Sequence, residues 1–170
     1  GAGHFDGIVF GELTPGKWMA GSDGFRRTER QQAAWPAETA DAKTLVQVAV
    51  VYQNRSVTTY RQGMQYSRHT IDAAQAFGEG SVLLIGPRHV GVRQYYAGEV
   101  ADVRVFDRVL SPEELQALRP GQPGKIEPWS WWTFEGDAPR DRTGRFPHLR
   151  LTGKTKVAGG RLVLAGTRAD

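Results

Sequence analysis

Apolar positions in this chain recur in short runs broken by glycine, proline and asparagine, and the runs read as strands. Residues 5–12 (FDGIVFGE) and 18–22 (WMAGS) flank a Thr14-Pro15-Gly16 turn. Residues 44–53 (TLVQVAVVYQ) form a nearly continuous β-branched run, the pattern of a strand buried on both faces, and are expected at the centre of a sheet. Turns at 54–56 and at Gln62-Gly63 predict hairpins joining 44–53, 57–61 and 64–70. Further strands are expected at 81–85 (SVLLI) and within 95–106, where Ala101, Val103 and Val105 share one face and Asp102 and Arg104 the other. Others are expected at 129–135 (WSWWTFE), 149–151, 155–157 and 161–164. Residues 23–43 lack periodicity and contain Pro36, so they read as a loop. A single helix is predicted after Ser111: an N-cap, a proline at the first helical position, an acidic first turn, Leu115 and Leu118 on one face, and a Pro120-Gly121 stop.

Composition narrows this picture. At 170 residues the chain fits one domain, and its 21 glycines and 9 prolines suit many turns between short strands. The absence of cysteine excludes a disulfide scaffold, a thiolate metal site and a cysteine nucleophile. No run approaches the ~20 apolar residues of a membrane span, and nothing reads as a signal peptide. The net charge of +4 rests mostly on arginines scattered over turns and strand ends, densest at 26–30 and 140–145. That scatter argues against nucleic acid as a partner, since no basic stripe or recognisable module is present.

Several segments carry a family likeness. The strand VQVAVVYQ, the hairpin VTTYRQGMQYSRHT, the strand SVLLIGPRH and the ending YYAGEVADVRVFDRVLSPEELQAL resemble the latter part of a LamG-like, concanavalin A-type jelly-roll domain. The piece WWTFEGDAPRDRTGRFPHLRLTGKTKVAGGRLVLAG resembles the opening of such a domain, placed here after its ending. The resemblance implies an all-β antiparallel sandwich with one short helix. It implies one domain over 1–170, circularly permuted so that 129–170 supplies the strands that usually open the fold. The alternative is a truncated domain followed by the start of a second. The block FDGIVFGELTPGKWMAGSDGFRRTE is similar to modules beside bacterial glycoside hydrolases of the levanase and invertase type, which implies a secreted or periplasmic setting.

The residues themselves offer little catalytic chemistry. A glucanase-type Glu-x-Asp-x-x-Glu is absent, Glu99 and Asp102 fall on opposite faces, and a turn separates Glu135 from Asp137. No Gly-x-Ser-x-Gly occurs, and His4, His69, His89 and His148 are dispersed. Related modules often hold a structural calcium ion, and Asp137 and Asp141, with Asp102 or Asp107 from a neighbouring strand, are the candidate ligands; simple Asx turns are the competing reading.

Sugar recognition asks for aromatic platforms and planar polar groups. Trp18 beside Arg26 and Arg27, Tyr60 with Arg61, Arg88 with His89, and Tyr95 with Tyr96 supply both. Each has a plainer role open to it: Trp18 in the core, Tyr60 paired across a hairpin, and Glu12, Arg27 and Arg88 in an internal polar network. Of the three clustered tryptophans, alternation places Trp129 and Trp131 on one face and Trp132 on the other. The expectation is a non-catalytic carbohydrate-binding module attached to a catalytic domain, its ligand an oligo- or polysaccharide such as a fructan. A protein-interaction module and a jelly-roll glycoside hydrolase are the rival classes.

Overall fold

The computed structural model describes residues 4–89, 91, 95–136 and 139–166. Within them every strand pairing is antiparallel and a single α-helix is present, so the all-β expectation holds. The chain divides into two compact units, Gly1–Leu83 with Val109–Gln116 and Leu84–Arg108 with Ala117–Asp170.

In the first unit, β1 (Asp6–Phe10) and β2 (Trp18–Ser22) form a hairpin, and β3 (Val48–Gln53), β4 (Ser56–Arg61) and β5 (Met64–Thr70) form a meander. The hairpin lies on the meander, β1 against β3 and β2 against β4. Ala20, Val57 and Ile71 are buried between them, with Val50 packed alongside. The central strand is β4, not the β-branched β3, which lies at the edge of its sheet. Hydrogen-bonded neighbours on both sides bury Val57, Thr58 and Thr59, whereas β3 is only half-buried. Residues 44–47, expected to open β3, stay outside it.

Two details of the meander matter for the site. Gln62 and Gly63 both take positive φ (52° and 72°), as a two-residue hairpin turn requires. The β4–β5 register steps from Thr59↔Ser67 to Tyr60↔Gln65, so Tyr66 is the extra residue of a bulge. α1 (Pro112–Ala117) closes over the hairpin tip. Its start is a capping box: the Glu114 N–H donates to Ser111 Oγ (3.2 Å) and the Ser111 N–H to Glu114 Oε2 (2.8 Å). Leu115 is buried, and Gln47 Nε2 donates to its carbonyl (2.7 Å).

In the second unit, β6 (Ala97–Val100) joins β11 (Arg161–Ala165) and β10 (Lys156–Ala158), while β7 (Asp102–Val105) joins β8 (Ser130–Thr133) and β9 (Arg140–Asp141). The expected single strand within 95–106 is therefore two strands in two sheets, separated at Ala101. Trp132, Phe134, Leu162 and Leu164 are its buried core, with Val100, Val103, Phe146 and Val157 packed against them. Residues 81–85 and 149–151 form no strand: Val82 is 67% exposed, and Leu149 and Leu151 join the core without pairing.

A Cβ added at Gly63 would meet the Gln116 side chain and approach its backbone N to 2.8 Å, at a backbone angle L-residues disfavour. Gly63→Ala is expected to destabilise the protein by roughly 2–4 kcal/mol in urea unfolding. Gly16→Ala shares the positive φ (74°) but meets nothing within 4 Å. It is expected to cost only about 1–2 kcal/mol, the backbone share of the effect.

Candidate functional site

The first unit's best-defined polar site forms where the aperiodic loop returns to the meander. Glu38 is its hub. Its N–H donates to the Gly16 carbonyl (2.7 Å), which fixes the loop beside β2. Arg61, at the end of β4, grips the carboxylate with both arms of its fork, Nε to Oε2 at 2.8 Å and Nη2 to Oε1 at 2.5 Å. Trp18 Nε1 donates to Oε2 (2.8 Å), and the N–H groups of Thr39 and Ala40 donate to Oε1 (2.9 Å each). The Arg61 guanidinium, foremost, holds the carboxyl far below its ordinary range, at about 2.

Aromatic rings surround this pair. Phe10 packs on Trp18 with centroids 4.5 Å apart, and Trp35 meets Tyr66 edge-on at 5.9 Å. The bulge brings Tyr66 to the loop, where its hydroxyl donates to the Pro36 carbonyl (2.5 Å) and accepts the Trp18 backbone N–H (3.3 Å). Lys17 Nζ donates to the carbonyls of Gln32 (2.5 Å) and Ala33 (2.9 Å). Trp18, Trp35, Arg61 and Tyr66 are half-buried, so the cluster offers partly exposed rings beside a fixed cation. Arg61 Nη1 makes no hydrogen bond among the described residues, leaving donors for a ligand hydroxyl.

Of the sequence candidates, this cluster gathers Trp18 and Arg61. Trp35, Glu38 and Tyr66 were not among the expected site residues. A tryptophan followed by a proline in a polar loop hinted at Trp35; nothing local marks Glu38 as an arginine partner or Tyr66 as a bulge. Arg27 is no ligand group: its side chain is only 9% exposed, and it donates to Asp6 (2.8 Å), Asp23 (2.7 Å) and the Phe5 carbonyl (3.1 Å). Those aspartates, not Glu12, are its carboxylate partners. Asp23 is drawn down to about 2, chiefly by the Arg27 hydrogen bond, whereas burial pushes Asp6 up despite the same cation. Arg26 is exposed, 3.9 Å from Asp23, and Tyr60 stands opposite Ala49 and Gln65 in the sheet.

The remaining candidates belong to the second unit. Tyr95 bridges to Pro87, Arg88 and His89 are half-buried, and the exposed Tyr96 ring lies over Gly98. Of the expected calcium ligands, Asp102 and Asp141 have their oxygens occupied by donors of the chain itself. Asp102 accepts Arg104 Nε (2.8 Å) and Nη2 (3.0 Å), the Gly121 N–H (2.9 Å) and Trp131 Nε1 (2.8 Å). Asp141 accepts the N–H groups of Trp131, Thr143, Arg145 and Phe146 at 2.8–3.1 Å and the Thr143 hydroxyl. Burial works against its charge, but these donors together hold its carboxyl below the usual range. Asp137 lies outside the described residues. No group of three or more acidic or histidine side chains among the described residues is placed to hold a metal ion.

The tryptophans also differ from simple alternation. The guanidiniums of Arg104 and Arg142 each lie 4.4 Å from the Trp131 ring, whereas Trp129 precedes the strand and leans on Phe146, which also packs on Trp132.

A family model described as the concanavalin A-like lectin/glucanases superfamily matches residues 6–116. No curated protein and no solved structure matches the chain. The matched stretch runs from β1 to the last turn of α1 and contains the whole Glu38 cluster.

A carboxyl held at about 2 when folded and near its ordinary 4.5 when unfolded contributes stability above pH 4.5 and loses it as pH falls toward 2. Glu38→Gln is therefore expected to melt below wild type at neutral pH, with the difference in Tm shrinking between about pH 5 and pH 2. Thermal melts of both proteins over that range check it; a constant difference contradicts it.

Proposed function

Because the chain belongs to the concanavalin A-like lectin/glucanases superfamily, we propose that it is a non-catalytic carbohydrate-binding module. The Glu38–Arg61 cluster is its ligand site. The observation that carries this reading is the set of half-buried rings of Trp18, Trp35 and Tyr66 beside a guanidinium immobilised by Glu38. A sugar's apolar face stacks on such rings while fixed donors read its hydroxyls, and pre-organisation lowers the entropic cost of binding. The carboxylates best placed for chemistry serve another purpose. Glu38 and Asp23 are held ionised by arginines, which suits positioning rather than the raised pKa of a general acid.

As an accessory module the chain tethers a catalytic partner to polymer and raises its effective concentration there. A secreted bacterial glycoside hydrolase, with a neutral glycan such as a fructan as ligand, is the setting that fits this role. Circular permutation belongs to the same reading. In the second unit the C-terminal strands β8 and β11 pair with β7 and β6. The exposed run Val82, Leu83 and Leu84 favours a second reading, a surface that packs on a neighbouring protein.

Affinity electrophoresis through levan, inulin and other neutral polysaccharides tests the proposal. The protein is expected to be retarded by at least one, and Trp35→Ala to weaken retention about tenfold or more with the melting curve retained. No retention by any of them, with tight association to a catalytic domain, establishes the second reading instead. Release of sugar by the chain alone overturns both.

A further inference from the structure

We propose that the turn 141–146 and the adjoining Trp129 form a second binding site, for an anionic polysaccharide bearing carboxylate or sulfate groups. The turn is built around Asp141, whose two oxygens accept the N–H groups of Trp131, Thr143, Arg145 and Phe146. That cradle fixes where Arg142 and Arg145 leave the backbone. The Arg142 guanidinium lies over Trp131, 4.4 Å from the ring centroid, with Nη1 3.5 Å from the Gly121 carbonyl. Arg145 Nη1 donates to the carbonyls of Trp129 (2.8 Å) and Pro128 (3.4 Å), and Thr143 Oγ1 approaches the same Trp129 carbonyl (3.3 Å). Both arginines are exposed, and among the described residues neither has a carboxylate partner.

Charge sets this pair apart from the three arginines that anchor the half-buried polar networks. Arg27, Arg61 and Arg104 are each neutralised by an acid. Arg104, 4.4 Å from the Trp131 ring, is answered by Asp102; Arg142, at the same distance, has no carboxylate partner among the described residues. The whole positive excess of the chain also resides in this unit, since the other holds more acids than bases. Two guanidiniums with restricted rotamers present planar forks that match carboxylate or sulfate oxygens. Beside them Trp129 is 43% exposed and held edge-on by Phe146 at 4.9 Å, a platform for a sugar ring. Cations alone attract any polyanion; a solvent-facing indole beside them adds a stacking surface, and competition with single-stranded DNA separates a charged sugar from a nucleic acid. The site stands apart from the Glu38 cluster and does not depend on that cluster binding glycan.

Affinity electrophoresis of the full chain through polygalacturonate, dextran sulfate and neutral dextran, with single-stranded DNA as competitor, tests it. Retardation is expected in at least one anionic gel and not in dextran, and the gel that retards distinguishes carboxylate from sulfate. Trp129→Ala, which removes no charge, and the pair Arg142→Gln with Arg145→Gln are each expected to weaken retention about tenfold or more. Lys154→Gln with Lys156→Gln removes the same two charges outside the turn and is expected to change it little. Arg142→Lys keeps the charge but loses the fork; retention lost with an unchanged melting curve confirms recognition by the guanidinium. Absence of retardation, equal loss in the lysine variant, full retention in Trp129→Ala, or displacement by DNA more readily than by free polygalacturonate or dextran sulfate overturns the proposal. Trp35→Ala is expected to leave anionic retention untouched, so failure here and failure of the neutral-glycan reading are separable.

Discussion

A carboxylate at the far end of an aperiodic loop organises the first unit. Glu38 takes both arms of Arg61, the indole N–H of Trp18 and two N–H groups of its own loop, and so ties a segment without regular structure to β2 and β4 at once. The apolar cluster buried between the hairpin and the meander is small, Ala20, Val57 and Ile71 with Val50 alongside. With no disulfide to staple so thin a core, half-buried charge pairs with matched geometry fix the loop in one place. The same pair positions the aromatic rings, so the constraint that holds the loop also shapes the surface offered to a ligand.

The second unit repeats this solution with other residues. Asp141 closes a turn on four backbone N–H groups, and Asp102 neutralises Arg104 while receiving the Trp131 indole N–H. In both units acids serve arginines and orphan donors, and the indole N–H groups of Trp18 and Trp131 find carboxylates. An all-β fold of short strands leaves many loop donors and acceptors to satisfy, and side-chain carboxylates at loop ends satisfy several each. Asp102 and Asp141, which looked like metal ligands, are occupied by this work.

Period-2 patterning and turn chemistry made β1, β2, β4, β5, β11 and the helix readable, because those features are local. Sheet order was not local. The β-branched run of β3 matched a central strand, yet β4 takes the centre because it alone has neighbours on both sides. SVLLI has every mark of a strand and forms none, since strand propensity supplies no partner. For the site, the sequence identified Trp18 and Arg61 by type. It could not identify Glu38 or Tyr66, whose roles arise from a contact 23 residues distant and from a one-residue slip in register. Arg27 was legible as a cation but not as one enclosed by Asp6 and Asp23.

The central claim is that the rings and guanidinium held by Glu38 meet carbohydrate directly. Titrating an isotopically labelled chain with a neutral oligosaccharide while recording the indole and guanidinium N–H signals tests it most directly. The account predicts shifts at the Trp18 and Trp35 indoles and at Arg61, with the buried Trp132 indole unmoved. Saturable binding that leaves those three signals in place would contradict it.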